Sequence, residues 1–456
     1  MTADPRSNGR GWCASHVYAR RQHTANFPNS VVGDQLNLPF PTTIEPLLEE
    51  GAQFLTRAFR ATGALASDNR VVRIASSKEF FGGGMGRKLW LSVDYAYDAP
   101  GLNRDLFAKF PRNFGDPLRE LFGPLMEPEV RFALLSRREG FPIKVPQCYF
   151  ADYDSATKSG ILITERIAYG QGTIEPCHDK CLDYTLPDPL GHYRALTRAM
   201  ARLAGYHRAG NFGADVERQF PFDAAKIDMG ARIPYTPAQL AAKLDKLRSF
   251  AAAHPQLFPA GVGAPDFLER FARQAPLVLE HELAIRRHLN EQADYIALCH
   301  WNMNLDNAWF WTDASGELQA GLLDWGSVGQ MNVAQAFYGM TCAAETDFLN
   351  AHKRDLMALF ATEYRNSGGP AIDVDELAFQ VKLSVAVLGI AWILDAPSLI
   401  EAQIPDIHAV KDRYDPKLKN DFLAHAQLHL LIVMLNEWLV DDIGSALEQF
   451  AVASRR

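Results

Sequence analysis

Two stretches late in the chain hold side chains suited to moving a phosphoryl group: CHWNMNLDNAWFW at 299–311 and GLLDWGSVG at 321–329. Asn307 and Asp324 are oxygen donors, the ligand type that magnesium takes. Between them NAWFW, the turn TDASGE and LQAGLLDW spell a short hairpin, which draws together residues far apart in the chain. His300, at the base of the loop, is placed to organise its backbone rather than to react. Asn302 is an amide, which orients a hydroxyl but takes no proton from one at neutral pH. Asp306 reads either as a carboxylate acting through a water or as a surface cap of the loop. Trp301, Trp309, Phe310 and Trp311 crowd the same stretch; Trp309 and Trp311 share one face of a strand, and the group reads as core.

Phosphoryl transfer asks for a held triphosphate, a placed magnesium ion and an aimed acceptor hydroxyl. The turn GGGMG, with Gly82, Gly83, Gly84 and Gly86, lies between two β-prone runs, where glycine lets backbone approach phosphate closely. It reads equally as a plain hairpin turn. It is no Walker A loop, since Lys88 precedes Leu89 rather than Ser or Thr. Lys109, in LFAKF, stands among apolar neighbours on a strand, where a lysine either snorkels at a sheet edge or points inward to an anion. Glu129, on a helical pattern further on, is its candidate partner or else part of a solvated helix face.

These side chains need elements to position them. An irregular arm over 1–40 leads to the helix TTIEPLLEEGAQFLTRAFRATG, with Thr42 or Thr43 as cap. Strands follow over 71–76, 89–97 and 105–110. A helix over 117–138 is expected to pack on the second and third of these, and VPQCYFADYD and GILITERI add two more strands. From about 188 the pattern turns helical, over 188–210, 236–254 and 264–292. After the hairpin come 333–365, 374–395 and 416–452. The chain therefore reads as a β-rich part, a connector and a helical part with one embedded hairpin.

The whole composition sets bounds on function. With 456 residues, 48% hydrophobic and 22% charged, the chain has ample material for a globular core. A formal net charge of -8 argues against a general nucleic-acid binder. Of six cysteines the only close pair is Cys177 and Cys181, in CHDKC with His178 and Asp179. No second Cys/His pair at zinc spacing answers it, so the segment reads as a polar surface loop. Sparse cysteines fit a reducing cytoplasm, and the polar first thirty residues lack a signal-peptide core. LSVAVLGIAWIL and LLIVML are too short to span a bilayer. The expectation is a soluble cytoplasmic protein without a membrane span.

Taken in order, these pieces resemble the protein-kinase-like fold, and more narrowly the aminoglycoside phosphotransferase and ecdysteroid-kinase-like families. HWNMNLDN keeps the loop His at 300 and the Asn at 307, and LLDWG supplies the magnesium Asp at 324. LFAKF resembles the lysine strand and EPEVRFALL the glutamate helix. ILITERI resembles the connector whose backbone holds adenine, which points to Glu165 and Ile167. The resemblance runs from about residue 70 to 345. It implies a two-lobed α+β fold, with an arm and helix over 1–69, a β-rich nucleotide lobe over 70–167 and a mainly helical lobe over 168–456. It also implies ATP and Mg2+ as cofactors, a small hydroxylated acceptor and no nucleic-acid partner. The departure is Asn302, which stands where the family carries the Asp that accepts the acceptor's proton. Two functions follow: a small-molecule kinase with altered loop chemistry, or a nucleotide-binding pseudokinase or repurposed fold without transfer. The loop region lacks the dense acidic cluster that would grip a polycationic aminoglycoside, so the expected acceptor is neutral or apolar.

Overall fold

Five strands between residues 71 and 165 form an antiparallel sheet in a computed structural model, which describes residues 27–80, 86–223 and 232–453. The described chain divides into two units: one holds the residues up to Ala168 together with Leu322–Val328, and the other holds Tyr169–Gly321 and the residues from Gly329. The fold is α+β, with the sheet in the first unit and most of the helix in the second.

In the sheet unit, β1 (Ser30–Val32) pairs with β2 (Pro39–Pro41) ahead of helix α1 (Ile44–Ala61). Thr43 is the cap residue of α1 but makes no side-chain cap bond, and Gly51, at φ 51°, kinks the helix. Next come β3 (Val71–Phe80), β4 (Gly86–Tyr95), β5 (Asp105–Pro111), α2 (Arg119–Phe122), α3 (Met126–Leu135), β6 (Cys148–Asp154) and β7 (Ser159–Glu165). The sheet order is β3-β4-β5-β7-β6. Strand alternation explains its two faces. Leu106, Ala108 and Phe110 of β5 join Phe54, Leu55 and Phe59 of α1 in one cluster. On the opposite face Met126, Val130 and Ala133 of α3 pack with Cys148, Ala151 and Leu162. Lys109 belongs by parity to this second face, the one that α3 covers.

The single helix expected over 117–138 is broken. A 3₁₀ turn at Gly123–Leu125 separates α2 from α3, because Pro124 cannot donate a helical hydrogen bond. α3 packs chiefly on β6 and β7 rather than on the 89–97 and 105–110 strands. Gly82, Gly83 and Gly84 lie outside the described residues.

The helical unit contains α4 (Pro189–Arg208), α5 (Val216–Gln219), α6 (Pro237–Ala253) and α7 (Pro265–Glu291). The short strands β8 (Ile296–Cys299), β9 (Ala308–Thr312), β10 (Leu318–Leu322) and β11 (Gly329–Asn332) follow, β9 pairing with β10 and β8 with β11. Then come α8 (Val333–Thr341), α9 (Thr346–Asn366), α10 (Val374–Trp392), α11 (Ala396–Gln403), α12 (Pro416–Lys419), α13 (Phe422–Val440) and α14 (Ile443–Ala453). α4 packs on α9 and β8, and α10 on α7, α8 and α13. The helices expected over 333–365 and 416–452 are each interrupted, the latter where Asp421 caps α13 by accepting from Ala424 N at 2.9 Å. Contrary to the reading of LLIVML alone, α13 is long and apolar enough to cross a membrane by length and composition. Of its apolar window 72% is buried, and it holds Glu437 against Lys353 at 2.9 Å.

Candidate functional site

Three charged side chains meet in the sheet unit. Lys109 Nζ donates to both carboxylate oxygens of Glu129, at 2.9 and 2.8 Å, and to Asp324 Oδ1 at 2.6 Å. Lys109 is 5% exposed and Glu129 4%, whereas the Asp324 side chain keeps 34% of its surface. Burial works against the ammonium, but Asp324 and Glu129 outweigh it and hold the lysine above its ordinary range. Burial also raises the Glu129 carboxyl, against the pull of Lys109. Asp324 sits at φ 62°, a left-handed conformation that short polar Asp tolerates better than most residues. The next residue, Trp325, stacks on Phe132 of α3 with centroids 3.7 Å apart and donates its Nε1–H to Leu322 O at 3.2 Å. The helix that supplies Glu129 therefore also fixes the turn that carries Asp324.

The loop between β8 and β9 is held by its own polar groups. Buried His300 accepts at Nδ1 from Asn302 N at 3.1 Å, which leaves the proton of a neutral ring on Nε2. Asn307 donates its amide to Asn302 O at 2.8 Å, so its side-chain oxygen remains to act as a ligand. Asn302 Oδ1 accepts from Asn304 Nδ2 and, at 3.4 Å, from Lys180 Nζ. Gly339 of α8 lies so close that a Cβ there would stand 1.6 Å from Trp301 O. Only glycine lets the helix support this backbone. Asp306 is half-buried, and its charge helps to raise the Asp183 carboxyl. Burial is the larger cause there, and the carboxyl is pushed up to about 7.

Gly86, Glu165 and Ile167 lie in the sheet unit. Gly86 opens β4 opposite Pro111, and a Cβ there would meet Phe110 O at 2.1 Å, so the glycine serves the close approach of two strands. Glu165 ends β7; its carboxylate accepts from Gln147 N at 2.9 Å and Asn103 Nδ2 at 3.1 Å, its backbone N donates to Gln147 O at 2.9 Å and its carbonyl accepts from Thr164 Oγ1 at 3.0 Å. Ile167 follows it, half-buried. Trp309 and Trp311 stack at 6.2 Å, with Trp309 buried, as core. Sequence reasoning missed Lys180 beside Asn302, the Phe132–Trp325 stack and a group formed by Glu175, His178 and His192. CHDKC did draw notice to His178, but its partners come from outside that segment, and Cys181 proves buried rather than on a surface loop.

No protein-family model and no curated protein sequence matches the chain. Among solved structures it is similar to a choline kinase from Cryptosporidium parvum Iowa II, at 13% identity over 81% of this chain and 91% of that one, with a TM-score of 0.37. It is also similar to a choline/ethanolamine kinase family protein from Mesorhizobium loti (15% identity, 82% and 93% covered, TM-score 0.37). A third is a spectinomycin phosphotransferase in complex with ADP and spectinomycin (11% identity, 87% and 98% covered, TM-score 0.37). With TM-scores below 0.5, the reading of the site rests on its own side chains.

Proposed function

We propose that the protein is an ATP- and Mg2+-dependent phosphotransferase acting on a hydroxyl of a small molecule. The observation that carries this reading is the buried Lys109 ammonium held between Glu129 and Asp324. Burying such a group gains a fold little, because desolvation offsets the attraction. A fixed cation beside a partly exposed carboxylate is instead suited to oxygen-rich anions and their counter-ion. In this reading Lys109 binds phosphate oxygens and Glu129 positions it. Asp324 and Asn307, hard oxygen donors, would hold magnesium, which when bound would supply positive charge to offset that of the phosphates. The backbone just after Glu165, at Ile167, meets the base of the nucleotide. His300 shapes the loop, Asn302 orients the acceptor hydroxyl, and Asp306 takes its proton through a water.

The charges near the loop support a neutral acceptor. Burial pushes the Asp183 carboxyl up to about 7, and Glu345 is paired with Arg413 at 2.7 Å. Asp306 and Lys180 bring one charge of each sign. A second reading, nucleotide binding without transfer, is favoured by one observation: Asn302 Oδ1 is already engaged by Asn304 and Lys180 and offers no basic oxygen.

Thermal shift and ADP release together test both readings. ATP with Mg2+ at about 100 times its Kd should stabilise the native state by about 2.7 kcal/mol. Asp324→Ala should remove the magnesium-dependent part. Lys109→Ala should weaken the response to ATP more than to adenosine. Magnesium-dependent ADP release with small alcohols marks the phosphotransferase; a thermal response with no release marks the binder. Equal responses from wild type and both variants would overturn both.

A further inference from the structure

The loop after the sheet unit and the start of α4 bring two histidines and a glutamate to one point. His178 Nε2 and His192 Nε2 each lie 2.8 Å from the same atom, Glu175 Oε2, and the three ligand atoms all fall within 4.8 Å of one another. We propose that Glu175, His178 and His192 form a binding site for a divalent first-row transition ion of the Zn2+ type, separate from the oxygen ligands assigned to magnesium.

The hydrogen bonding at His192 is the first argument. Its Nδ1 lies 2.6 Å from Asp188 O. A carbonyl only accepts, so Nδ1 carries a proton, and a neutral ring then turns the lone pair of Nε2 toward Glu175. Two acceptors face each other there, and a cation between them resolves the conflict. The alternative is an imidazolium on a side chain only 2% exposed. Donation of the far ring nitrogen to a backbone carbonyl is also the arrangement that orients metal-bound histidines.

Rigidity is the second argument. Glu175 is strapped to β9: its N donates to Phe310 O at 2.9 Å, and its carbonyl accepts from Gly170 N at 3.1 Å. Ile174 bridges Trp311. His192 stands in the first turn of α4, which Asp188 caps through Gly191 N at 2.9 Å. The Phe310 ring packs on both imidazoles, at 5.7 and 4.6 Å. The ligands thus come from held backbone, and little order remains to be imposed when an ion binds.

Chemistry selects the ion. Two imidazole nitrogens with one carboxylate oxygen suit borderline metals such as zinc rather than magnesium or calcium. Bonds of about 2.0–2.1 Å in a tetrahedron place neighbouring ligand atoms about 3.3 Å apart. The present 2.8 Å spacings therefore need to open by about half an ångström, within reach of side-chain rotation. His178 and Glu175 keep 19% and 29% of their side chains exposed, room for a water as fourth ligand. The ion would clip the 169–188 segment, already bonded to β9 through Glu175 N, to the first turn of α4.

The test uses the full chain, stripped with chelator and titrated with Zn2+ or Co2+ under excess Mg2+ to occupy the oxygen ligands. One equivalent should bind, with the visible bands of tetrahedral Co2+. His178→Ala and Glu175→Gln, both at partly exposed positions, should each weaken Zn2+ by more than the roughly 10–100-fold that losing an outer-shell partner costs. Cys177→Ser should leave binding unchanged. Failure of the wild type to bind either ion more tightly than these two variants would overturn the site and leave a hydrogen-bonded imidazolium–carboxylate group. Loss of binding in Cys177→Ser would overturn the ligand set.

Discussion

Replacing Asn302 by Asp puts a proton acceptor where the loop now presents an amide. A positioned base contributes about 10²–10⁴-fold, but the structure reduces that gain here. Lys180 Nζ lies 3.4 Å from Asn302 Oδ1, and an Asp at this position would pair with it. At that separation the attraction is about 5 kcal/mol for an effective dielectric of 20 and about 1 kcal/mol in water. Lys180 is half-buried, so the new carboxylate should lose about one to two units of basicity. With a Brønsted slope of about one half, this removes roughly 3–10-fold. Magnesium-dependent ADP release with an alcohol acceptor should therefore rise about 10–10³-fold in Asn302→Asp, and further when Lys180→Ala is added. The thermal response to ATP should stay the same, since on the proposed reading residue 302 faces the acceptor rather than the triphosphate. A folded Asn302→Asp variant with unchanged turnover and an intact ATP response would refute residue 302 as the base position. Turnover that falls in this variant and collapses in Asp306→Ala would assign the proton to Asp306.

Three further outcomes are expected. Lys109→Met should cost about 3–5 kcal/mol in urea unfolding at pH 8, because it strands a buried carboxylate; burial raises the Glu129 carboxyl above 4.5, so the cost should shrink toward pH 5 as it protonates, and Lys109→Met/Glu129→Leu should recover most of it. Equal costs at both pH values would contradict this account. Asp183→Asn should relieve a penalty that grows as pH rises from about 4 to 7: the folded carboxyl, at about 7 against 3.8, keeps a proton the unfolded one has lost, worth about 4 kcal/mol by pH 8. The variant should thus gain most in melting temperature at pH 8 and least at pH 4. Gly339→Ala should cost about 3 kcal/mol, since its Cβ meets the Trp301 carbonyl, and should lower turnover by shifting the loop; a full-strength variant would show that α8 does not buttress it.

The strand carrying Lys109 was legible because Leu106, Ala108 and Phe110 alternate around it, and parity alone sends the lysine to the other face. Glu129 read either as the partner of Lys109 or as part of a solvated helix face, and only the 2.8 Å ion pair decides for the first. The third member was harder: Asp324 reaches Lys109 from 215 residues away, a distance over which no local pattern fixes a contact. The breaks at 342–345 and around Asp421 escaped notice because the apolar pattern continues across them. His178 and His192 escaped for a different reason: one lies in a loop and the other on a helix, so no ligand spacing joins them to Glu175. Gly339, a helix residue supporting a distant carbonyl, left no mark on the sequence beyond its own smallness.

The seven residues Leu322–Val328 belong to a unit whose other residues end at Ala168. During synthesis the sheet must therefore wait for them. At about 5–20 residues per second, the ribosome takes roughly 10–40 s to travel from Lys109 to Asp324. For that interval Lys109 and Glu129 have only each other, and Phe132 lacks the indole that covers it in the finished chain. The nascent sheet is a species in which the Asp324 carboxylate arrives last, and on the proposed reading no nucleotide site is complete before it does.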